Sequence, residues 1–294
     1  MKIAVCFHGQ LRTGTKASKN IKNFLGDLFE STDFYTHTWD INTTRMPFNL
    51  VGYEPPEQIV SDEDHNDFKK FYRPINYYVE NQGAFWARAI KMYKSSGDLV
   101  HPWHSAYHSN QFKRTFEDVN KFKYDYVIRL RPDCIFPPDR KLVNDLDEVS
   151  KDPSKYYILQ LFGDSYQIAT SEIMDKACDF YIHGNFYGNH FWPMAGFHSY
   201  MAEHGVELSR LQDNRATILR QEFDYLDPVQ FYWQINAINS MTYENINFSK
   251  DSLIYTYENL NNPNWLAETK QNMIQIFGDD ETPRSYFPFY KDLP

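Results

Sequence analysis

Cysteine is scarce: Cys6, Cys134 and Cys178 are the only three in 294 residues. Three thiols cannot build a disulfide framework, and none has the C-x-x-C spacing of a zinc knuckle. The count fits a reducing compartment. Positive charge is also short. Thirty Lys and Arg against 39 Asp and Glu give a net charge of −9. General binders of nucleic acid or of anionic membranes carry a basic excess, so neither class is expected, although a local basic pocket stays open. Long hydrophobic runs are missing too. No apolar stretch approaches the ~18 residues of a membrane span. The start Met1-Lys2-Ile3-Ala4-Val5-Cys6-Phe7 turns polar at His8, too early for a secretory signal core. Together these absences predict a soluble, cytoplasmic protein, in which the sequon-like Asn42-Thr43-Thr44 and Asn247-Phe248-Ser249 carry no meaning.

What is present is core material. Apolar residues make 42% and charged residues 23%, enough to fold and too apolar for disorder. Aromatics make 17%, with 22 Tyr, 23 Phe and 6 Trp. Tyr and Trp offer an apolar face with a polar edge, which suits stacking on a sugar or base; most of them are expected to pack in the core. There are no repeats and no linker, so residues 1–294 are read as one α/β unit.

The pattern opens with strand, loop, helix, strand. Ile3, Val5 and Phe7 alternate over 2–7. Ile21, Phe24, Leu25, Leu28 and Phe29 share a helical face, and 33–38 reads as a second strand. This is the βαβ signal of a parallel sheet. Ser61 with Asp64 starts a helix to Phe71, 75–79 is a strand, and a helix through Trp86 and Tyr93 is expected to stop at Gly97. A helix over 105–122 leads into the best strand, 124–130, which Pro132 ends. Strands at 156–162 and 166–169 flank the turn Gly163-Asp164. Helices follow from Ser171, over 193–205, and over 229–239. The segment Tyr286-Phe287-Pro288-Phe289-Tyr290 is apolar enough to pack on the body.

Several constellations could carry chemistry. Gly9-Gln10-Leu11-Arg12-Thr13-Gly14-Thr15-Lys16 nearly matches a P-loop, but Thr15 stands where Lys is needed and Ala17 where a hydroxyl is needed. The alternatives are a nucleotide-contacting loop, through Gln10 and Arg12, and an ordinary βα turn. Along 124–133, Val127, Arg129 and Arg131 share one strand face. Buried guanidiniums need carboxylates or phosphates, so the pair is read either as a diphosphate clamp or as structural ion pairs. Arg131, nearer the strand end, is the stronger clamp candidate. On that reading Arg131→Ala weakens nucleotide binding and leaves the free protein's stability intact. His37, Trp39 and Asp40 follow the second strand, as a base-stacking and ribose-binding group or as a packed strand end with a helix cap. His104 and His108 have a metal-capable i, i+4 spacing, but no nearby Cys or Glu completes a set; a solvated or core-edge cluster with His101 is expected. Gln111 and Arg114 are placed toward the donor pocket. Gly188-Asn189-His190-Phe191-Trp192 could line an acceptor groove.

The segments Lys2–Arg12, Phe34–Asp40 and Tyr126–Asp133 together resemble those of small glycosyltransferase-like proteins of marine cyanophages and large DNA viruses. The resemblance continues through Phe162–Ala169 and Met174 and fades after about residue 210. It implies a GT-A type fold: Rossmann-like, with a central, mostly parallel sheet flanked by helices. Residues 1–150 would bind a nucleotide sugar and 151–294 the acceptor. It implies a hexosyltransferase-type enzyme moving a sugar from a nucleoside-diphosphate donor, UDP favoured, to a carbohydrate or other hydroxyl acceptor. Donor-binding residues would be Gln10, Arg12, His37, Trp39, Asp40, Gln111, Arg129, Arg131 and Asp133. The class holds Mn²⁺ or Mg²⁺ with a D-x-D motif; here Arg131-Pro132-Asp133 offers one acidic residue, so Asp133 is the metal candidate, and the arginines are expected to carry much of the diphosphate's charge. Asp164 would be the general base or sugar-orienting carboxylate, or simply a turn residue, ahead of Glu203, Glu207 and Glu222. Two other readings stand: a P-loop-like phosphoryl or sulfuryl transferase, and a non-catalytic carbohydrate-binding protein.

Overall fold

The computed structural model describes residues 1–12, 14–42, 58–93, 97–159, 165–183, 193–213, 215–218 and, near the C-terminus, 262–264, 267–268, 270–271 and 274. Strand β1 (Ile3–Gly9) leads into α1 (Gly14–Leu25), a 3-10 turn, and β2 (Thr32–Trp39). A short pair, β3 (Ile41–Asn42) and β4 (Gln58–Ile59), precedes α2 (Asp62–Tyr72) and β5 (Asn76–Glu80). Then come α3 (Gln82–Tyr93), α4 (Gly97–Asn120), β6 (Tyr126–Leu130), β7 (Cys134–Ile135) and α5 (Leu142–Lys151). Strands β8 (Tyr156–Ile158) and β9 (Tyr166–Ala169), helices α6 (Ser171–His183) and α7 (Pro193–Glu203), and strands β10 (Leu208–Arg210) and β11 (Thr217–Ile218) complete the order.

Seven strands form one sheet in the order β10-β8-β9-β6-β1-β2-β5. Only β9 runs against its neighbours; β10·β8, β6·β1, β1·β2 and β2·β5 are parallel. The fold is mixed α/β with a mostly parallel sheet between helical layers, as expected from the βαβ opening. Side-chain alternation sorts the two layers. Ile3, Val5, Phe7, Phe34, Ile128 and Leu130 face α1, α2 and α5, where Ile21, Phe24, Phe68 and Leu146 meet them. Ala4, Cys6, Tyr35 and Val127 face the other way, toward Trp103, Met174, Cys178 and Phe197 on α4, α6 and α7. Apolar burial on both faces is what a central parallel strand requires.

Ser61 accepts the Asp64 N–H and caps α2 as its spacing predicted. Gly97 opens α4 rather than ending α3. Helix α5 has no counterpart in the sequence reading; its apolar positions Leu142, Leu146 and Val149 sit among acidic residues. The expected elements at 229–239 and 286–290, and the loop 188–192, lie outside the described residues.

Buried charge is neutralised locally. Lys113, fully buried on α4, donates to Ser171 and Asp175 at 2.6 and 2.7 Å and lies 3.1 Å from Glu117. Burial alone would raise the Glu117 carboxyl, but the Ser171 hydroxyl, the Tyr124 N–H and Lys113 hold it below its usual value. Arg140 and Asp145 pair at 3.0 Å beneath Tyr166.

Candidate functional site at the carboxyl edge of the sheet

From β1 the chain passes to β2 on one side and, after β5, returns to place β6 on the other. The carboxyl ends of β1 and β6 therefore flank a topological switch point, where open α/β sheets form their ligand crevice. Gly9, at φ +91, turns the chain out of β1, a conformation costly for any residue with a Cβ. Gly14 packs so closely that a Cβ there would meet Pro132 Cβ at 2.9 Å. The two loops of the crevice are thus held against each other.

Arg131 leaves β6 and folds back on Asp133 as a fork, Nε to Oδ1 and Nη2 to Oδ2, both 2.9 Å. Arg12 approaches Oδ2 at 3.4 Å from the opposite loop, with its backbone in the left-handed region at φ +44. Such a conformation persists where the surroundings over-determine it. Arg12 Nε donates to Gln10 Oε1 at 2.8 Å, and Gln10 Nε2 donates to Gln82 Oε1 at 2.8 Å. The Gln82 N–H donates to Asp40 Oδ1 at 2.9 Å. Gln10, Arg12, Arg131 and Asp133 thus meet directly, with Asp40 joined through Gln82.

Several expectations change. Asp133 has no solvent exposure, and its two oxygens face two guanidiniums. A divalent ion there would add to two positive charges, so these residues do not fit a metal. Arg131 is an ion-pair partner of a buried carboxylate, so its removal is now expected to destabilise the protein even without ligand, in place of the expectation of an unaffected free protein. Arg129 is 1% exposed, its guanidinium 4.6 Å over the Trp103 ring, with Nε and one Nη lacking a hydrogen-bond partner. Neither of its expected partners is there: no carboxylate pairs with it among the described residues, and it is closed to a ligand. Trp39 is fully buried against Phe85 and His104, which leaves no face for a base. Asp40 also accepts Asn81 Nδ2 at 2.5 Å and so braces the start of α3. Gln111, half-buried, stands two turns along α4 from His104, about 10 Å along the helix axis. Arg114 pairs with Asp179 at 2.8 Å. Glu203 and Glu207 are exposed. Asp164 and Glu222 lie outside the described residues.

Two amides of the P-loop-like segment are already engaged within the protein, which weighs against the P-loop reading. The Gly9 N–H donates to Ser105 Oγ at 2.7 Å and the Gly14 N–H to the Leu11 carbonyl at 2.7 Å. Lys16 is exposed on α1. The glycine N–H groups that would cradle a phosphate are engaged within the protein.

A second group lies on the α4 side of β2 and β5. His37 Nε2 is 3.0 Å and His104 Nε2 2.6 Å from the same oxygen, Glu80 Oε2. These three atoms lie within 4.8 Å of one another, a set able to hold a metal ion. Burial pulls His37 below the usual imidazole value, against its hydrogen bond to Glu80. Burial would raise Glu80, but its bonds to His104 and His37 hold it well below the carboxylate range. His108, stacked on His37 at 5.3 Å, is pushed down to about 4 by burial and by its two neighbouring histidines. Sequence reasoning singled out His104 and found no acid to complete it. Glu80 comes from another element: Trp39 pairs with Glu80 and His37 with Tyr78 across β2·β5. Alternation along the 75–79 strand would have pointed to it, had the strand order been known.

An α/β protein with its polar side chains gathered along the carboxyl edge is the class that the fold and site define. No family model matches the chain, nor does any curated protein. Among solved structures it is similar to a protein assigned as a nucleotide-diphospho-sugar transferase from Desulfovibrio desulfuricans G20, with 13% identity, a TM-score of 0.38, and coverage of 72% of this chain and 80% of that one. It is also similar to mouse xyloside xylosyltransferase 1 in its apo form, with 8% identity, a TM-score of 0.37, and coverage of 71% and 84%.

Proposed function

We propose that the chain is a nucleotide-sugar glycosyltransferase that takes its donor across the carboxyl ends of β1 and β6. One observation carries the reading: Arg12 and Arg131 converge on the carboxylate of Asp133 at the switch point, which places two guanidiniums at the mouth of the crevice. Departure of a nucleoside diphosphate develops negative charge, and preorganised guanidiniums are suited to stabilise it. Asp133 orients both guanidiniums, and the relay through Gln10 and Gln82 fixes Arg12. The choice of a sugar nucleotide, with uridine favoured, rests on the resemblance of 2–12, 34–40 and 126–133 to the viral glycosyltransferase-like proteins. A hexosyl group and a carbohydrate or other hydroxyl acceptor follow from the same resemblance, and Asp164 remains the proposed base.

The test is a thermal-shift panel of UDP, GDP, ATP and sugar nucleotides, followed by assay of nucleoside diphosphate release. A ligand at ~100 Kd adds ~2.7 kcal/mol to stability. UDP or GDP raising Tm, with release from one sugar nucleotide, is the expected result. Binding without release in the presence of varied acceptors would leave a carbohydrate- or nucleotide-binding protein. No shift with any nucleotide at millimolar concentration would overturn the reading.

A further inference from the structure

We infer that His37, Glu80 and His104 form a Zn²⁺ site, separate from Asp133, with three protein ligands and one open position. The site is built from atoms facing inward and atoms tied outward. Nε2 of both histidines and Oε2 of Glu80 converge. Every outward atom has its own partner: His37 Nδ1 with Ser105 Oγ at 3.0 Å, His104 Nδ1 with the Tyr181 hydroxyl at 2.8 Å, and Glu80 Oε1 with Arg88 Nη2 at 2.6 Å. Outer hydrogen bonds of this kind fix ring orientation and tautomer in metal centres.

Ser105 ties the group to the crevice loop: its Oγ lies 2.9 Å from the His37 carbonyl and 3.0 Å from His37 Nδ1 and accepts the Gly9 N–H at 2.7 Å, so the ring is held with Nε2 turned to Glu80 Oε2.

Distances are compatible. Tetrahedral bonds of ~2.0–2.1 Å set ligand atoms ~3.3 Å apart. The observed 2.6 and 3.0 Å need to open by about 0.7 and 0.3 Å to reach that spacing, and the two Nε2 atoms lie within 4.8 Å of each other. Two imidazoles with one carboxylate suit Zn²⁺ and its transition-metal neighbours, not Mg²⁺ or Ca²⁺, which prefer oxygen shells. Trp39 and Phe85 pack on His104 and supply an apolar wall. Glu80, 14% exposed beside the half-open Arg88, marks the way in. Three protein ligands leave the fourth position to water or to an oxygen of a bound molecule. Ser105 holds both His37 and the Gly9 amide, so the ion would lie one hydrogen-bonded step from the crevice loop.

The experiment uses the full chain, freed of metal with a chelator, and Zn²⁺ alone, followed by calorimetry and native mass spectrometry. One Zn²⁺ per chain is expected, with Mg²⁺ unable to displace it. His104→Gln and Glu80→Gln should each weaken binding at least ~100-fold, and Ser105→Ala by about 10- to 100-fold. Wild-type protein loaded with Co²⁺ should show the intense visible bands of a tetrahedral site, a readout that needs no variant to fold. Absence of one tight Zn²⁺, binding unchanged in both ligand variants, or the weak spectrum of six-coordinate Co²⁺ would overturn the assignment. No nucleotide enters these measurements, so their outcome is independent of the proposed transferase activity.

Discussion

Asp133 and Glu80 are both carboxylates at the carboxyl edge of one sheet, and their neighbours give them opposite capacities. Asp133, between β1 and β6, faces Arg131 and Arg12. Positive charge is already supplied by the protein, and the place suits an anion. Glu80, at the outer strand β5, faces two imidazoles. These are neutral when they ligate, so the place suits a cation. The type of residue alone does not say which ion a carboxylate serves; the charge of the groups converging on it does.

The largest effect expected from this contrast concerns stability. Asp133→Ala removes the carboxylate on which two guanidiniums converge, and Arg131→Ala takes the 2.9 Å fork from a buried carboxylate whose contact to Arg12 is the longer one at 3.4 Å. Each should cost about 3–5 kcal/mol in urea unfolding. Glu80→Gln in metal-free protein should cost clearly less, since Glu80 is partly exposed and Gln keeps its shape. If Glu80→Gln proves the more damaging, the contrast between the two carboxylates is wrong.

That difference explains what could be read from the sequence. The parallel sheet was legible because period-2 and period-3.6 patterns are local, and Ile3-Val5-Phe7 followed by Ile21-Phe24-Leu25 states a βαβ unit directly. Arg12, Arg131 and Asp133 were legible as a group because βα loops at a switch point are short and carry polar residues at fixed places. Their pairing was not legible: whether Arg131 turns outward to a ligand or back on Asp133 depends on the turn after Pro132. Trp39 and Arg129 were misjudged because parity gives a side chain's face but not what covers it, here Phe85 and Trp103. The His37–Glu80–His104 group needs β2 beside β5 and α4 across both, a non-local arrangement that no spacing encodes. Helix α5 was missed because its few apolar positions stand among Asn144, Asp145, Asp147 and Glu148, which read as loop.

The packing of the two regions differs as well. Gly14→Ala would drive a Cβ to 2.9 Å from Pro132 and 3.0 Å from Leu11, forcing the crevice loops apart. A loss of about 1–3 kcal/mol is expected, with any nucleotide binding reduced in parallel. An unchanged Tm would show that the loops are not in close register.

A further carboxylate, buried on α4, gives a pH test. The folded Glu117 lies below its unfolded value, so its contribution is complete above ~4.3 and is lost as pH falls through the folded value. Lys113 and Lys123 face it, with Asp118 and Asp175 nearby. Glu117→Gln should flatten the acid limb of a stability–pH curve by up to ~1.4 kcal/mol per pH unit. An identical acid limb in variant and wild type would refute that assignment.

Gly83, in the first turn of α3 near Glu80, has only Asn81 Oδ1 within range, at 3.6 Å. Gly83→Ala should therefore be neutral or stabilise by about 0.4–1 kcal/mol, the opposite sign to Gly14→Ala. Loss of stability at both glycines would mean that the outer strand region is packed as tightly as the crevice.

The claim that the crevice holds its ligand with arginines is tested most directly by calorimetric titration of UDP into chelator-treated protein, wild type beside Arg12→Ala. Arg12 is the variant of choice because Asp133 keeps the Arg131 fork when Arg12 is removed. UDP binding should survive the chelator, and Arg12→Ala should weaken it about 10- to 150-fold, the equivalent of a charge-assisted hydrogen bond of ~1.5–3 kcal/mol. UDP binding that vanishes with the chelator and returns with Mn²⁺, or that is unchanged in Arg12→Ala, would contradict the account.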